Sequence, residues 1–346
     1  MSAVLNGAAK AETTLSDVAR EAGVSLATAS RVLNGSSRKV ADNYRERVER
    51  AAERLGYVPN LSAQATARGT SAVISLLVAD IADPYFGELA SGVAQGADGS
   101  GLIVTIGITG HDPGREVRVV RAMRGQRPRG MILAASRMST TIRPELRKEL
   151  DAVQAAGGRV VVMGGGGGSI RSILIDNRGG ARDLGRALTD AGYRRAVVLA
   201  TSEGVVTSDD RLAGFRDGFT AGGGELPRVY RGAFSREAGS ELMGQALADG
   251  VEEGTVVFGI SDVMAIGAIM AIRAAGRGVG RDIAVAGFDD VAAGRDLTPA
   301  LTTVHVPLHE IGHLAFRAAT EPDWPQAEAL HLDVVLRDST PPVTFP

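Results

Sequence analysis

Residues 305–315 read HVPLHEIGHLA, in which His309, Glu310 and His313 have H-E-x-x-H spacing. On a helix this spacing sets two imidazoles one turn apart as zinc ligands, with a carboxylate beside them as general base for a metal-bound water. A catalytic zinc also needs a third protein ligand, and no other motif in the chain supplies one. A second stretch with chemical potential is RVVVMGGGGGSIRS at 159–172, where five glycines follow an apolar run. Backbone N–H groups of such a loop can cradle a phosphate. The P-loop pattern, however, requires Lys-Ser/Thr after the glycines, and G-x-G-x-x-G requires a helix and a later acidic residue. Ser169-Ile170-Arg171 leads instead into another short apolar run, so neither motif settles the chemistry alone.

The elements that carry these motifs must therefore decide. The 346 residues contain no cysteine, which removes disulfides, thiolate metal sites and cysteine nucleophiles together. A net charge of -2 argues against a chain that coats nucleic acid or a membrane surface along its whole length. No apolar run approaches the roughly 20 residues of a membrane span. The start, MSAVLNGAAKAETT, lacks the basic and apolar segments of a secretory signal, so 1–12 reads as a disordered leader of a cytoplasmic protein. Charge is uneven: residues 13–69 hold nine Lys and Arg against six Asp and Glu, whereas 70–346 hold 28 against 33. A small basic head precedes a larger acidic body.

In the head, Leu15, Val18 and Ala19 recur at helical spacing, Ala22-Gly23-Val24 forms a tight turn, and Ser25 can cap a second helix ending near Leu33. A third helix from about Asn43 carries Val48, Ala51, Ala52 and Leu55 on one face and stops at Gly56. The first two helices, joined by A-G-V-S, read as a helix-turn-helix, with Ala19 and Ala29 small enough for close crossing. From Ser71, the runs AVISLLVA, LIVTIGI, GMILAA, RVVVMG, AVVLA, RVYRG, TVVFGI and DIAVAGF alternate with helical stretches near 85–98, 114–124, 144–156, 178–191, 210–221, 236–248 and 262–275. This alternation predicts an α/β body of parallel sheets with helices on both faces. Roughly 275 residues exceed one simple sheet, so two lobes are expected. Ligands of such sheets bind beyond the carboxyl ends of the strands, here in a cleft between lobes.

The segments TLSDVAREAGVSLATASRVLNG and YRERVERAAERLGYVPN resemble the head of the lactose repressor/galactose repressor family of bacterial transcription factors. The resemblance covers almost the whole chain through VADIADPYF (78–86), DPGRE (112–116), LIDNRGGA (174–181), DDRLAGFRDGF (209–219), FGISDVMAIGA (258–268), VAGFDD (285–290), LTTVHVPLHEIG (301–312) and LRDST (336–340). It implies a DNA-binding head over 13–59, a hinge helix over 60–70 that enters the minor groove, and a two-lobed, periplasmic-binding-protein-like body over 71–346 that binds an effector and dimerises. Carried over by position, Thr14, Ser25, Thr28, Ser30 and Asn34 would anchor phosphates or orient the recognition helix. Leu26, Ala27 and Arg31 would face bases. Thr66 stands where a leucine usually wedges between base pairs, and threonine is a poorer wedge.

In the cleft, the resemblance places Asp83 and Tyr85 on the first lobe and Arg211, Phe234 and Asp262 on the second. An aromatic face with carboxylate and guanidinium groups suits a polyol such as a sugar. Gly164 and Gly165 stand where Asp-Arg is usual, so that lobe has lost a polar contact, and Ser261 replaces an asparagine. The HEIGH stretch falls on a scaffold helix with the pattern Pro-x-x-Glu-x-Gly-Arg, which Pro307, Glu310 and Gly312 fit while His313 replaces the arginine. The expectation is a homodimeric, effector-responsive repressor of a pseudo-palindromic DNA operator, without cofactor, metal or catalysis. Two rivals remain: a transporter's solute-binding protein, which shares the two-lobed fold but would carry a secretory signal and no basic head, and a zinc hydrolase through His309, Glu310 and His313.

Overall fold

Thr14 and Asp17 begin the head with a reciprocal capping box: the Thr14 hydroxyl accepts from the Asp17 N–H at 3.3 Å, and the Asp17 carboxylate accepts from the Thr14 N–H at 3.0 Å. The structure, a computed structural model, describes residues 13–33, 40–58, 70–134, 141–165, 167, 169–325 and 327–343. The leader, Asn34 and the hinge around Thr66 lie outside them. Within the head, α1 (Leu15–Ala22), α2 (Leu26–Leu33) and α3 (Asp42–Leu55) enclose Val18, Ala19, Ala22, Ala29, Val48, Ala51 and Ala52. Gly23 ends α1 at φ 61°, and a Cβ there would meet the Arg47 guanidinium at 2.6 Å. The turn thus needs glycine for its left-handed conformation, while the exposed Arg47 side chain could move aside from a Cβ.

The chain divides into two units, Met1–Ser71 and Ala72–Pro346. The second runs β1 (Val73–Val78), α4 (Pro84–Ala97), β2 (Ile103–Ile108), α5 (Pro113–Arg124), β3 (Gly130–Leu133), α6 (Pro144–Ala155), β4 (Arg159–Met163), β5 (Arg171–Ile175), α7 (Asn177–Asp190), β6 (Arg195–Thr201), α8 (Val206–Ala221), β7 (Glu225–Gly232), α9 (Arg236–Ala248), β8 (Val256–Gly259), α10 (Asp262–Ala274), β9 (Ala284–Ala286), α11 (Ala292–Arg295), β10 (Thr303–His305), α12 (Leu308–Thr320), β11 (Ala327–Leu330) and β12 (Asp333–Val335). Two parallel sheets result, ordered β11-β5-β4-β3-β1-β2 and β7-β6-β8-β9, while β10 and β12 pair antiparallel.

Every residue of β1 is buried, which is why VISLLV reads as an unbroken apolar run rather than an alternating one. Ile74, Leu76 and Val78 pack with Leu89 and Val93 of α4 and Ile311 of α12; Leu77 joins Val120 of α5 and Leu150 of α6. In each sheet the first strand is flanked by its successor on one side and a later strand on the other, β2 and β3 around β1, β7 and β8 around β6. Connections diverge at such switch points and open a crevice beyond the carboxyl ends. Three segments join the lobes: β5 into α7, β10 into α12, and β11 into β12.

Of the strands absent from the sequence reading, β5 is the short apolar run after Ser169. β12 has three residues and β11 alternates exposed with half-buried positions, so neither carries a recognisable apolar pattern, whereas LTTV before HEIGH reads as the strand that becomes β10. No helix among the described residues is long and apolar enough to cross a membrane.

The HEIGH stretch opens α12, where Leu308, Ile311 and Gly312 are buried while His309 and Glu310 are exposed. Its constrained letter is the glycine. A Cβ on Gly312 would lie 2.1 Å from the Leu89 carbonyl oxygen, and one on Gly92 of α4 would lie 1.9 Å from that of His309. The two glycines let α4 and α12 cross backbone to backbone. Among the described residues, no group of three or more His, Cys, Asp or Glu side chains is placed to hold a metal ion. Gly312→Ala is expected to lose about 1–3 kcal/mol of stability in urea unfolding through overpacking, and His309→Ala to change it by less than about 0.5 kcal/mol. Equal effects would contradict this reading of α12.

Candidate functional site

A cavity of about 260 Å³ is lined by residues that follow the strands of both sheets. From the first lobe come Asp83 after β1, His111 after β2, Ala134 after β3 and Met163 to Gly165 at the end of β4, while Asn177 opens α7 where the chain passes between lobes. From the second come Thr207, Asp210 and Arg211 after β6, Phe234 after β7 and Asp289 after β9. These positions lie at or beyond a strand's carboxyl end, where the sheet order places a crevice.

Arg211 organises the polar end. Its side chain is 2% exposed, and its Nη2 donates to Asp289 Oδ1, its Nε to Asn177 Oδ1 and its Nη1 to the Ile260 carbonyl, each at 2.8 Å. The guanidinium also lies 3.9 Å from the centroid of the Phe288 ring, a cation–π contact in a desolvated setting. These bonds use three of its five N–H groups. Asp289 and Asp290 both adopt positive φ, 117° and 59°. The Asp289 N–H donates to Val304 O at 2.9 Å and the Asp290 N–H to the Thr303 hydroxyl at 3.3 Å. The Asp290 carboxylate accepts from Arg337 Nη2 at 2.6 Å and lies 3.0 Å from His305 Nδ1.

The opposite flank is apolar, with Phe86, Met163, Leu174 and Ile175 beside Tyr85. His111 of the first lobe and Phe234 of the second stack with ring centroids 5.8 Å apart and planes at 23°. A second contact between lobes runs from the Ala292 N–H to Glu88 Oε1 at 3.4 Å. Asp83 caps α4, accepting from the Tyr85 N–H at 2.9 Å. Burial pushes the carboxyls of Asp83 and Asp210 above the usual range, and it lowers the His111 imidazole against the opposing pull of Asp80. Burial likewise pushes Asp289 up, against the guanidinium of Arg211.

The structure brings Asp83, Tyr85, Arg211 and Phe234 together in this cavity but not Asp262. Asp262 is fully buried behind it, accepting from the Val291 N–H at 2.9 Å and the Thr303 hydroxyl at 2.7 Å. Its place in the lining is taken by Asp289. Both motifs, FGISDVMAIGA and VAGFDD, were legible, but only the bond to Arg211 distinguishes the aspartate that reaches the cleft. Asn177 and His111 were also missed, although Asn177 lies within LIDNRGGA. Ser261 caps α10 from a fully buried position. Gly164 and Gly165 border the cavity; Gly164 has φ 90°, and a Cβ there would meet nothing within 4 Å.

On the head, Ser25, Leu26, Ala27 and Arg31 leave one side of α2 exposed, Leu26 at 51%, while Ala29 turns into the core. Thr28 and Ser30 are half-buried. Thr14 and Ser25 act as caps, the Ser25 hydroxyl accepting from the Thr28 N–H at 3.1 Å.

Burial raises the Asp262 carboxyl from 3.8 to about 6, with the Thr303 and Val291 bonds pulling the other way. A native carboxyl pKa above its unfolded value contributes stability that is complete below the unfolded pKa and lost as pH rises through the folded one. Asp262→Asn removes this titration. The variant should therefore gain on the wild type by up to about 3 kcal/mol between about pH 4 and pH 7 in denaturant unfolding. A pH-independent difference would contradict the assignment.

Residues 14–60 match the family described as bacterial regulatory proteins, lacI family, and residues 186–340 match a periplasmic binding protein-like domain. The HTH-type transcriptional repressor CytR of Escherichia coli (strain K12) is 33% identical over 304 residues, covering 87% of each chain. A crystal structure of the lac repressor dimer bound to operator and the anti-inducer ONPF superposes with a TM-score of 0.80 at 27% identity, over 95% of this chain and 99% of that one. A complex of the transcriptional regulator CelR with cellobiose has a TM-score of 0.66 at 29% identity, over 95% and 100% of the two chains. The head, the paired sheets and the cleft thus have their counterparts in known DNA-binding regulators, and the chain belongs to the lacI family of bacterial regulatory proteins.

Proposed function

We propose that this chain is a repressor-type regulator of the bacterial cytoplasm whose hold on a duplex operator is set by a polyol bound in the cleft. The observation that carries the reading is the presence, in one chain, of an exposed reading face on α2 and a cavity with an arginine-centred polar end and an apolar flank. Arg31 can bond guanine bidentately, and Leu26 and Ala27 offer apolar contact to thymine methyls. Thr14, Ser25, Thr28 and Ser30 then cap the helices or hold phosphates, which fix register without reading sequence. A two-fold dimer reading two half-sites doubles these contacts.

In the cleft, the free N–H groups of Arg211, the Asn177 amide and the carboxylates of Asp83, Asp210 and Asp289 match vicinal hydroxyls, while Phe234 and Tyr85 cover the apolar face of a ring. Cellobiose, in the CelR complex, is a ligand of this class. Asp262 holds the Val291–Thr303 corner behind the site. The chain acts by binding, without catalysis.

Selection of duplexes from a random pool by the full chain should return a pseudo-palindrome. Arg31→Ala should then lose about 1–3 kcal/mol of discrimination at one base pair of each half-site. Recovery of the same site with undiminished preference would remove Arg31 from the base-reading role.

A further inference from the structure

The cleft lining carries an unbalanced charge. Among the described lining residues, Asp83, Asp210 and Asp289 stand against one cation, Arg211, and that cation is already bonded to Asp289, Asn177 and Ile260. His111 supplies no compensation, because burial lowers its pKa and favours the neutral ring. Gly164 and Gly165 bring only backbone to a corner with open space around Gly164. Arg178, which acts on Asp210 from outside the lining, is 62% exposed and paired with Asp217 at 2.8 Å.

Helix N-termini could in principle supply positive potential here. Three of those beside the cavity already face a carboxylate: Asp83 caps α4, Asp176 caps α7, and Asp209 occupies the first turn of α8 next to Asp210; α9, after Phe234, is capped by the Ser235 hydroxyl and has Glu237 in its first turn. All three lining carboxyls have raised pKa values with burial as the largest cause, and neighbouring carboxylates add to it: Asp80 on Asp83, Asp209 and Asp176 on Asp210, and Asp262 and Asp83 on Asp289.

From this arrangement we infer that the cleft selects its ligand by charge, accepting polyols that are neutral or carry an amine and excluding those that carry phosphate or carboxylate. The inference rests on the polyol reading above and sharpens it. A phosphate entering the cavity would meet carboxylates in a partly desolvated space, where like charges repel more strongly than in water. An ammonium group would relieve the imbalance that burial creates. Neutral hydroxyls can donate to the carboxylates and accept from Arg211 without adding charge.

The test is calorimetric titration of the full chain, at fixed ionic strength, with a panel offering common hexoses and pentoses each as neutral sugar, amino sugar, sugar phosphate and sugar acid. Where a neutral or amino sugar binds, its phosphate and acid should bind at least about tenfold more weakly. Asp210→Asn should narrow the gap between a sugar and its phosphate several-fold, with thermal unfolding of the free protein confirming that the variant is folded. An anionic member binding as tightly as its neutral parent, or a ratio unmoved by Asp210→Asn, overturns charge selection while leaving the polyol reading intact. Failure of every member to bind overturns the polyol reading, and charge selection with it.

Discussion

The buried pair of Arg211 and Asp289 is the constraint around which the body is arranged. Two charges removed from water are tolerated only with good geometry and with their remaining hydrogen-bonding capacity met. Here Asn177, the Ile260 carbonyl and the Phe288 ring complete the set, so the pair fixes chain segments that follow β5, β8 and β9 onto α8. Asp289 and Asp290 hold positive φ side by side, a conformation that costs on the order of 1–3 kcal/mol per residue and persists only where neighbours determine it. Those neighbours are Arg211 on the cleft side and, on the other side, Arg337 and His305, which belong to the β10 and β12 passages between lobes. Asp289 thus faces the cleft while its neighbour Asp290 is bonded to His305 at the end of β10 and to Arg337 just after β12.

The same sheet order explains why the site is where it is. With switch points at β1 and β6, the loops that leave the carboxyl ends diverge, and the cavity collects one short segment from most strands. None of these segments has to be long, and the polar groups they carry are presented by rigid strand and helix ends. Two contacts between lobes, His111 with Phe234 and Glu88 with the Ala292 N–H, border this arrangement.

Much of this was legible in the sequence because burial leaves a periodic trace. The long apolar runs of β1 and β4, the amphipathic α3 and the Gly23 turn all have strong local causes, and their positions agree closely with the structure. Elements without such causes were missed. β11 is held by pairing with β5, and β12 with β10, so their reason for being extended lies in distant residues. The site divides in the same way. The resemblance to the family placed Asp83, Tyr85, Arg211 and Phe234, whereas the choice between Asp262 and Asp289 depends on which carboxylate the folded chain turns toward Arg211. In HEIGH the histidines drew attention for their chemistry, while the letter under the tightest constraint is Gly312, whose reason is a carbonyl on α4.

The central claim is that ligand binding at the Arg211–Asp289 end of the cleft controls affinity for DNA. The most direct measurement is the dissociation constant for the selected duplex, with and without a saturating cleft polyol, in the wild type and in Asp289→Asn. The wild-type constant should shift by roughly 5- to 150-fold, the range of ordinary allosteric coupling, while the variant, shown to be folded by its thermal unfolding, should lose most of the shift. A variant that responds as fully as the wild type, or a wild type whose DNA affinity ignores a polyol that fills the cleft, would contradict the claim.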